Sequence, residues 1–248
     1  MKIAYSGISG KIGYFINEYR STTSCVLDRS VFNWQDRNTY TLLNSYDRVF
    51  LSFPVNKLDI LQLLPELVKN LRRGQTIVKF GSLGPQRVIH DLIDSEIRKH
   101  CNLISLQLAP TMSSLLSEQV AGSVLYDYRY GLPAPYVSTH AAAEIAVKAT
   151  EVGVDSDVIN VTGPENLDIT QVLELLSKYY NLAILPLDGK TFVNSYVCSE
   201  EIKNKLCNLY DEYKVQYPAV STDLERNGIV NQSLRTWLAS NLKHGIKL

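Results

Sequence analysis

Lys2-Ile3-Ala4-Tyr5-Ser6-Gly7-Ile8-Ser9-Gly10-Lys11-Ile12-Gly13 stands almost at the start of the chain and decides how the rest is read. Residues 1–6 have the character of a short strand, and Tyr14-Phe15-Ile16-Asn17-Glu18-Tyr19, directly after the glycines, reads as the start of a helix. A strand, a glycine turn and a helix in that order give a glycine motif its meaning. One glycine makes the tight turn, a second lets backbone approach a pyrophosphate, and a third lets helix and strand pack closely. The unpaired N–H groups and positive dipole end of the helix then face the phosphates.

Working outward, strand-like and helix-like stretches alternate through the first half, the pattern of a parallel sheet with helices on both faces. Ser24-Cys25-Val26-Leu27 reads as a second strand ending in Asp28-Arg29-Ser30. A carboxylate at that strand end holds the ribose diol of NAD, whereas an arginine accepts the 2′-phosphate of NADP. Both are present, and strand alternation aims only one of them inward. Val49-Phe50-Leu51-Ser52-Phe53-Pro54 is a continuous apolar run suited to a central strand. The helix after it aligns Leu61, Leu64, Leu67, Val68 and Leu71, with Arg72 and Arg73 in its last turn and Gly74 as its cap. Gln75-Thr76-Ile77-Val78-Lys79-Phe80 is the next strand, followed by Gly81-Ser82-Leu83-Gly84. A helix over 86–100 is expected to bury Ile89, Leu92, Ile93 and Ile97 and to carry His90 and Asp94, four apart, on its other face. Asn102-Leu103-Ile104-Ser105-Leu106-Gln107-Leu108 is a further strand, closed by Ala109-Pro110-Thr111-Met112.

Beyond this point the pattern loosens. Residues 113–125 read as helical or irregular, and 126–135 as a polar, aromatic excursion. Ser138-Thr139-His140 opens an alanine-rich helix through Ala149, 157–162 is a strand, and Asp168-Ile169-Thr170-Gln171 has the form of a capping box. Helices are expected at 199–213 and 232–242. The fold class is therefore α/β, a doubly wound parallel sheet with a small, mostly helical C-terminal region that takes the substrate. We expect a core over 1–155, with a substrate-side insertion at about 112–136. The part from 156 to 248 adds one more core strand and helix before the helical region.

Composition narrows the function classes. In 248 residues, 25 Lys and Arg balance 25 Asp and Glu, so no global field recruits nucleic acid or an anionic membrane. No apolar run approaches the ~20 residues of a membrane span, and no secretory leader is expected. Cys25, Cys101, Cys198 and Cys207 are scattered, with no C-x-x-C and no histidine cluster. They read as reduced thiols of a cytoplasmic protein, and no metal site is expected. A small-molecule substrate is the expected partner, and a homodimer is left open.

Five segments in order resemble the NmrA-like atypical short-chain dehydrogenase/reductases, a group of quinone reductases, natural-product reductases and redox-sensing regulators. They are Lys2 to Gly7 with its glycines, Ile77-Val78-Lys79-Phe80-Gly81-Ser82-Leu83-Gly84, Leu106-Gln107-Leu108-Ala109-Pro110, Ala141-Ala142-Ala143-Glu144-Ile145-Ala146 and Asn160-Val161-Thr162-Gly163-Pro164-Glu165. The resemblance covers residues 1 to about 180 and implies an NAD(P)-binding Rossmann fold. It implies that Gly7, Gly10 and Gly13 shape a pyrophosphate site completed by the amides of Ser9, Lys11 and Ile12. Arg29 would take the basic position that favours NADP(H), with Asp28 keeping NAD(H) open. Phe53 and Pro54 would border the riboses, Gly81 and Ser82 would lie near the nicotinamide, and Pro110 and Thr111 would flank its carboxamide. Substrate would enter over 112–116 and 126–136.

One departure bears on mechanism. Reductases of this superfamily use a Tyr and a Lys four apart on the helix after the Ser82 strand, the Tyr as proton donor. Here no tyrosine lies between Tyr46 and Tyr126, and Tyr210 with Lys214 falls far downstream. What remains for chemistry is Lys79 and Ser82 at a strand end and His90 on the next helix. His140 stands where related sequences carry an acid that would favour the helix end. The leading expectation is hydride transfer from NAD(P)H to a quinone or iminium-type electrophile, which needs no Tyr–Lys acid. A non-redox cyclase or isomerase, and a dinucleotide-sensing regulator without turnover, are the alternatives.

Overall fold

The computed structural model describes residues 1–55, 57–84, 87–117, 120–121, 124–127, 133–178, 183–186, 199–204, 208 and 219–243. Its centre is a six-stranded sheet built from β1 (Ile3–Ser6), β2 (Cys25–Leu27), β3 (Arg48–Phe50), β4 (Thr76–Ser82), β5 (Asn102–Leu108) and β8 (Val158–Val161), in the order β2-β1-β3-β4-β5-β8. Every pairing in it is parallel. Helices α1 (Lys11–Tyr19) and α5 (Thr139–Glu151) pack on one face, and α2 (Ile60–Val68) and α3 (Arg87–Arg98) on the other. A nine-residue 3₁₀ segment, Arg37–Ser45, stands between β2 and β3. The chain runs outward from β1 to β2 and then returns past β1 to β3. The order therefore reverses between β1 and β3, and the carboxyl ends of those strands open the crevice where such sheets take ligands.

Burial on both faces explains the apolar central strands. Val49 packs with the α2/α3 core and Phe50 with the α1/α5 core. The same alternation along β4 sends Ile77 to the α2/α3 side and Val78 and Phe80 to the other. Lys79 must then follow Ile77, into the core beneath α3. On α5, Ala141, Ala142, Ala143, Ala146 and Ala149 are all buried, and these small side chains let the helix lie close to α1. Ser138 caps α5 by accepting from the Ala141 N–H at 3.1 Å. Asp168 and Gln171 form the reciprocal capping box of α6 (Ile169–Ser177) that their spacing predicts. The open edge of β8 is blunted where the Asn160 N–H donates to the Asp223 carboxylate at 2.8 Å.

Three expectations need correction. The stretch 113–125, read as helical or irregular, also forms strands. After α4 (Met112–Ser117) the chain makes β6 (Val120–Ala121) and β7 (Val124–Asp127), and β9 (Ala183–Pro186) joins β7 to complete a second, three-stranded sheet. Helix α2 ends at Val68, so Arg72 and Arg73 lie beyond it. Arg72 instead ties the turn to the 3₁₀ segment, donating to the Asn44 and Tyr46 carbonyls and pairing with Asp47 at 2.5 Å. On α3, Leu92 is 43% exposed while His90 and Asp94 are buried, the reverse of the expected facing. Of the helix expected at 199–213, residues 200–204 are helical. Tyr210 and Lys214 lie outside the described residues. Among the described residues no helix is long and apolar enough to cross a membrane.

Candidate active site

The three glycines of the first loop have three separate reasons to be glycine. Gly7 has φ +72°, and a Cβ there would fall 2.3 Å from the Ser52 Cβ, so the close approach of β1 and β3 at the crevice requires its absence. A Cβ on Gly13 would fall 2.3 Å from the Gly7 carbonyl oxygen and 2.5 Å from the Ile8 Cα, so α1 packs on the loop only without one. Gly10 differs, because its nearest neighbour would be the Gly7 oxygen at 3.6 Å. A Cβ there would make only an ordinary contact among the described residues. What Gly10 keeps clear is the space in front of the helix, where no side chain caps α1 and no acid sits in its first turn. Ser9 and Lys11 are exposed around this opening, and Ile12 is half-buried against the α1/α5 core.

The end of β2 resolves the Asp–Arg ambiguity locally. Asp28 turns its carboxylate back into its own turn, accepting from the Ser30 N–H at 2.8 Å, the Ser30 hydroxyl at 2.6 Å and the Val31 N–H at 3.3 Å. These bonds, led by the one from the Ser30 hydroxyl, hold its pKa below the usual carboxylate value. Arg29 next to it is exposed and, among the described residues, has no hydrogen bond or ion pair. Oδ1 of Asp28 is thus engaged within its own turn, while Arg29 has no partner among the described residues.

The far wall is made by β3, β4 and β5. Phe53 and Pro54 are half-buried after β3, the Phe53 ring resting against Trp34 with centroids 5.0 Å apart. Ser82, at the end of β4, accepts from the Gly84 N–H at 3.1 Å and is half-buried. Pro110 and Thr111 follow β5, and both are half-buried. The Pro110 carbonyl accepts from the Val137 N–H at 3.0 Å, and Thr111 forms an isolated bridge to Val137. Gly81 has a reason of its own to be glycine. A Cβ there would fall 2.6–2.8 Å from the side-chain amide of Gln107 on β5, so it makes room for that amide.

Behind this wall Lys79 and His90, both named from the sequence, belong to a buried polar layer whose extent sequence reasoning missed. Lys79 is completely buried and forms a hydrogen-bonded ion pair with Asp94 of α3. Its ammonium also lies 5.9 Å from the centre of the Phe53 ring. Burial pulls the Lys79 pKa down, and Asp94 opposes it. His90, one turn before Asp94, is buried, and burial together with the Lys79 charge lowers its pKa to about 3, which keeps the ring neutral. Ser105 and Gln107 face Lys79 and Gly81 across the β4–β5 register and complete the layer. Gln107 donates to the Ser105 hydroxyl at 2.9 Å, while its own Oε1 and the Nδ1 of His90 are buried without a partner among the described residues. The one sequence signal for this layer is a charged and an amide side chain, Lys79 and Gln107, inside otherwise apolar strand runs.

His140 is neither a cap nor a mouth residue. It packs on Phe15 with ring centroids 3.9 Å apart, and its Nδ1 is hydrogen-bonded to the Tyr19 hydroxyl at 2.7 Å, tying α5 to α1. Burial lowers its pKa. Of the loop expected to admit substrate, 128–132 lie outside the described residues. Among the described residues no group of His, Cys, Asp and Glu is placed to hold a metal.

No protein-family model matches the chain, and no curated protein matches it in sequence. Solved structures do match over its whole length. The triphenylmethane reductase of Citrobacter sp. complexed with NADP(H) superposes with a TM-score of 0.69 at 13% identity, covering 97% of this chain and 99% of that one. The NADPH-dependent quinone oxidoreductase of Escherichia coli complexed with NADPH gives 0.73 at 11% identity, with 97% and 99% covered. A nucleoside-diphosphate-sugar epimerase of Staphylococcus aureus gives 0.69 at 14%, with 96% and 99% covered. At these identities the likeness is one of fold, and it extends over the α/β sheet and the C-terminal region together.

Proposed function

We propose that this chain is an NADP(H)-dependent reductase that passes hydride to a small organic electrophile of the quinone or iminium type. The observation that carries the reading is the glycine loop at the point where the strand order reverses. Gly7 and Gly13 are required by the protein's own packing, whereas a Cβ at Gly10 would meet no described residue closer than 3.6 Å. An uncapped helix N-terminus behind Gly10 fits a pyrophosphate. The fold likeness to two reductases crystallised with NADP(H) points the same way.

In this reading the amides of Ser9, Lys11 and Ile12 hold the pyrophosphate and Gly10 admits it. Arg29, without a partner among the described residues, takes the 2′-phosphate, and the three bonds to Oδ1 of Asp28 hold that carboxylate in its own turn. NADP(H) is therefore preferred to NAD(H). Phe53 and Pro54 wall the riboses, Gly81 and Ser82 lie beside the nicotinamide, and Pro110 and Thr111 flank its carboxamide. The bound cofactor supplies the hydride, and the chain supplies orientation and exclusion of water. Ser82 offers the hydroxyl nearest the reacting end, with Lys79 and His90 behind it. Quinones and iminium-type electrophiles suit such a site because delocalisation lets them accept hydride before any proton moves.

The test is a fluorescence titration of the protein with NADPH and with NADH, beside Gly10→Asp. Saturable binding that is tighter for NADPH and lost in the variant supports the reading. Absence of binding to either dinucleotide overturns it.

A further inference from the structure

Phe53 is held from two sides. The register of β3 against β4 pairs Phe50 with Val78, and the Leu51 N–H donates to the Val78 carbonyl at 2.8 Å. Leu51 therefore stands beside Lys79, and the next residue of the chain on that face is Phe53, which packs with Leu51 on the α2/α3 core. The four-carbon stem of Lys79 carries its ammonium to 5.9 Å from the centre of the Phe53 ring. An ammonium is drawn to an aromatic face at up to about 6 Å, most strongly where water is kept away. Lys79 has no exposed surface. From another side the Trp34 ring meets Phe53 with centroids 5.0 Å apart. Trp34 is itself fixed, its ring against buried Phe32 at 5.3 Å and buried Tyr40 at 6.2 Å, and its carbonyl accepting from the Tyr40 hydroxyl at 2.7 Å. A line of contacts thus runs from Asp94 on α3 through Lys79 and Phe53 to the stretch that leaves the Asp28–Arg29 turn. Phe53 is where this line reaches the crevice. Ser52, the residue before it, is the one whose Cβ leaves no room for a side chain at Gly7, and Phe53 is only half-buried.

We propose that Lys79 is a positioning residue for the dinucleotide: its ammonium, paired with Asp94, and the Trp34 ring together fix Phe53 as a preset wall of the cofactor site. This rests on the NADP(H) reading above. A buried ion pair adds little stability over an apolar pair of the same volume, so packing alone does not account for a lysine and an aspartate here. A charge under the ring does. It holds the ring by its face, where an apolar side chain would only fill the space beneath. A wall fixed before the ligand arrives spares the binding step the cost of ordering it. Asp94 supplies the countercharge that keeps the ammonium buried, through the hydrogen bond it accepts from Lys79. Trp34 limits the movement of Phe53 towards the end of β2.

The test is a series of full-length proteins that carry, at position 53, phenylalanine with one, two or three ring fluorines. Fluorine withdraws electron density from the ring face and weakens its pull on a cation step by step, while changing its size little. NADPH affinity is read by fluorescence titration with Lys79 in place and in the neutral background Lys79→Met with Asp94→Leu. Lys79→Gln with Asp94→Asn serves as that background where the first pair does not fold. With Lys79 in place, Kd should rise with each fluorine, to roughly 5-fold at three. In the neutral background the series should be flat, a difference that a ring acting by packing alone does not produce. A flat series with Lys79 in place overturns the proposal and leaves the reductase reading standing. An equal slope in both backgrounds assigns the effect to the ring's own contact with the cofactor and overturns the role of Lys79. A folded wild type that binds neither NADPH nor NADH overturns the reductase reading itself.

Discussion

Replacing Lys79 by methionine isolates the cost of the buried pair. The substitution keeps the length and apolar stem of the side chain and removes the charge from a position with no exposed surface. Asp94 is left as a carboxylate whose side chain is only 12% exposed. Two unit charges ~4 Å apart attract by about 4 kcal/mol at an effective dielectric of ~20, and breaking a buried pair from one side costs about 3–5 kcal/mol. Lys79→Met should therefore lose about 3–5 kcal/mol, a large part of the ~5–15 kcal/mol available to a folded domain. Lys79→Met with Asp94→Leu should recover most of it, because the orphaned charge has gone too. The assay is urea unfolding at pH 7 of the wild type, both single variants and the double variant, closed as a cycle. A double variant no more stable than Lys79→Met would refute the reasoning.

Three further outcomes follow from the same geometry. His90 is protonated only near pH 3 in the folded protein but near 6.5 when unfolded, so stability should fall steadily as pH drops across that window. His90→Phe should flatten this slope in pH-dependent denaturation curves. Gly81→Ala places a Cβ against the Gln107 amide and should cost about 1–3 kcal/mol. Shortening that side chain in Gly81→Ala with Gln107→Ala should relieve most of the cost, and equal melting losses in the single and double variants would count against the contact. Gly10→Asp should leave the melting temperature within about 2–4 °C of wild type, since its Cβ meets no chain atom within 3.4 Å, while abolishing NADPH binding. Gly13→Ala should lower both.

Much of the architecture was written in local pattern. Apolar runs set the central strands, the glycine spacing set the first turn, and Asp168 with Gln171 set a helix start, because each depends only on neighbours in the chain. The second sheet was not legible: β6 has two residues and β7 and β9 four each, and the β7–β9 pairing joins segments more than fifty residues apart. The 2′-phosphate question was half legible. Both Asp28 and Arg29 were visible in the sequence, but only the folded turn showed which of them was already bonded.

Helix α3 shows where sequence stops deciding. Ile89, Ile93 and Ile97 define its buried stripe without ambiguity. At about 100° per residue, Leu92 and Asp94 each lie about 100° from the centre of that stripe, on opposite sides. Hydrophobicity alone turns Leu92 inward, and that expectation failed. Lys79, on the strand that α3 covers, is carried inward by the alternation of β4 and needs a countercharge there. Rolling α3 towards Asp94 provides it, at the cost of exposing Leu92. Periodicity thus determined that α3 exists and which residues could face the sheet. The charge on a neighbouring strand, brought opposite only by the tertiary fold, decided which of them do.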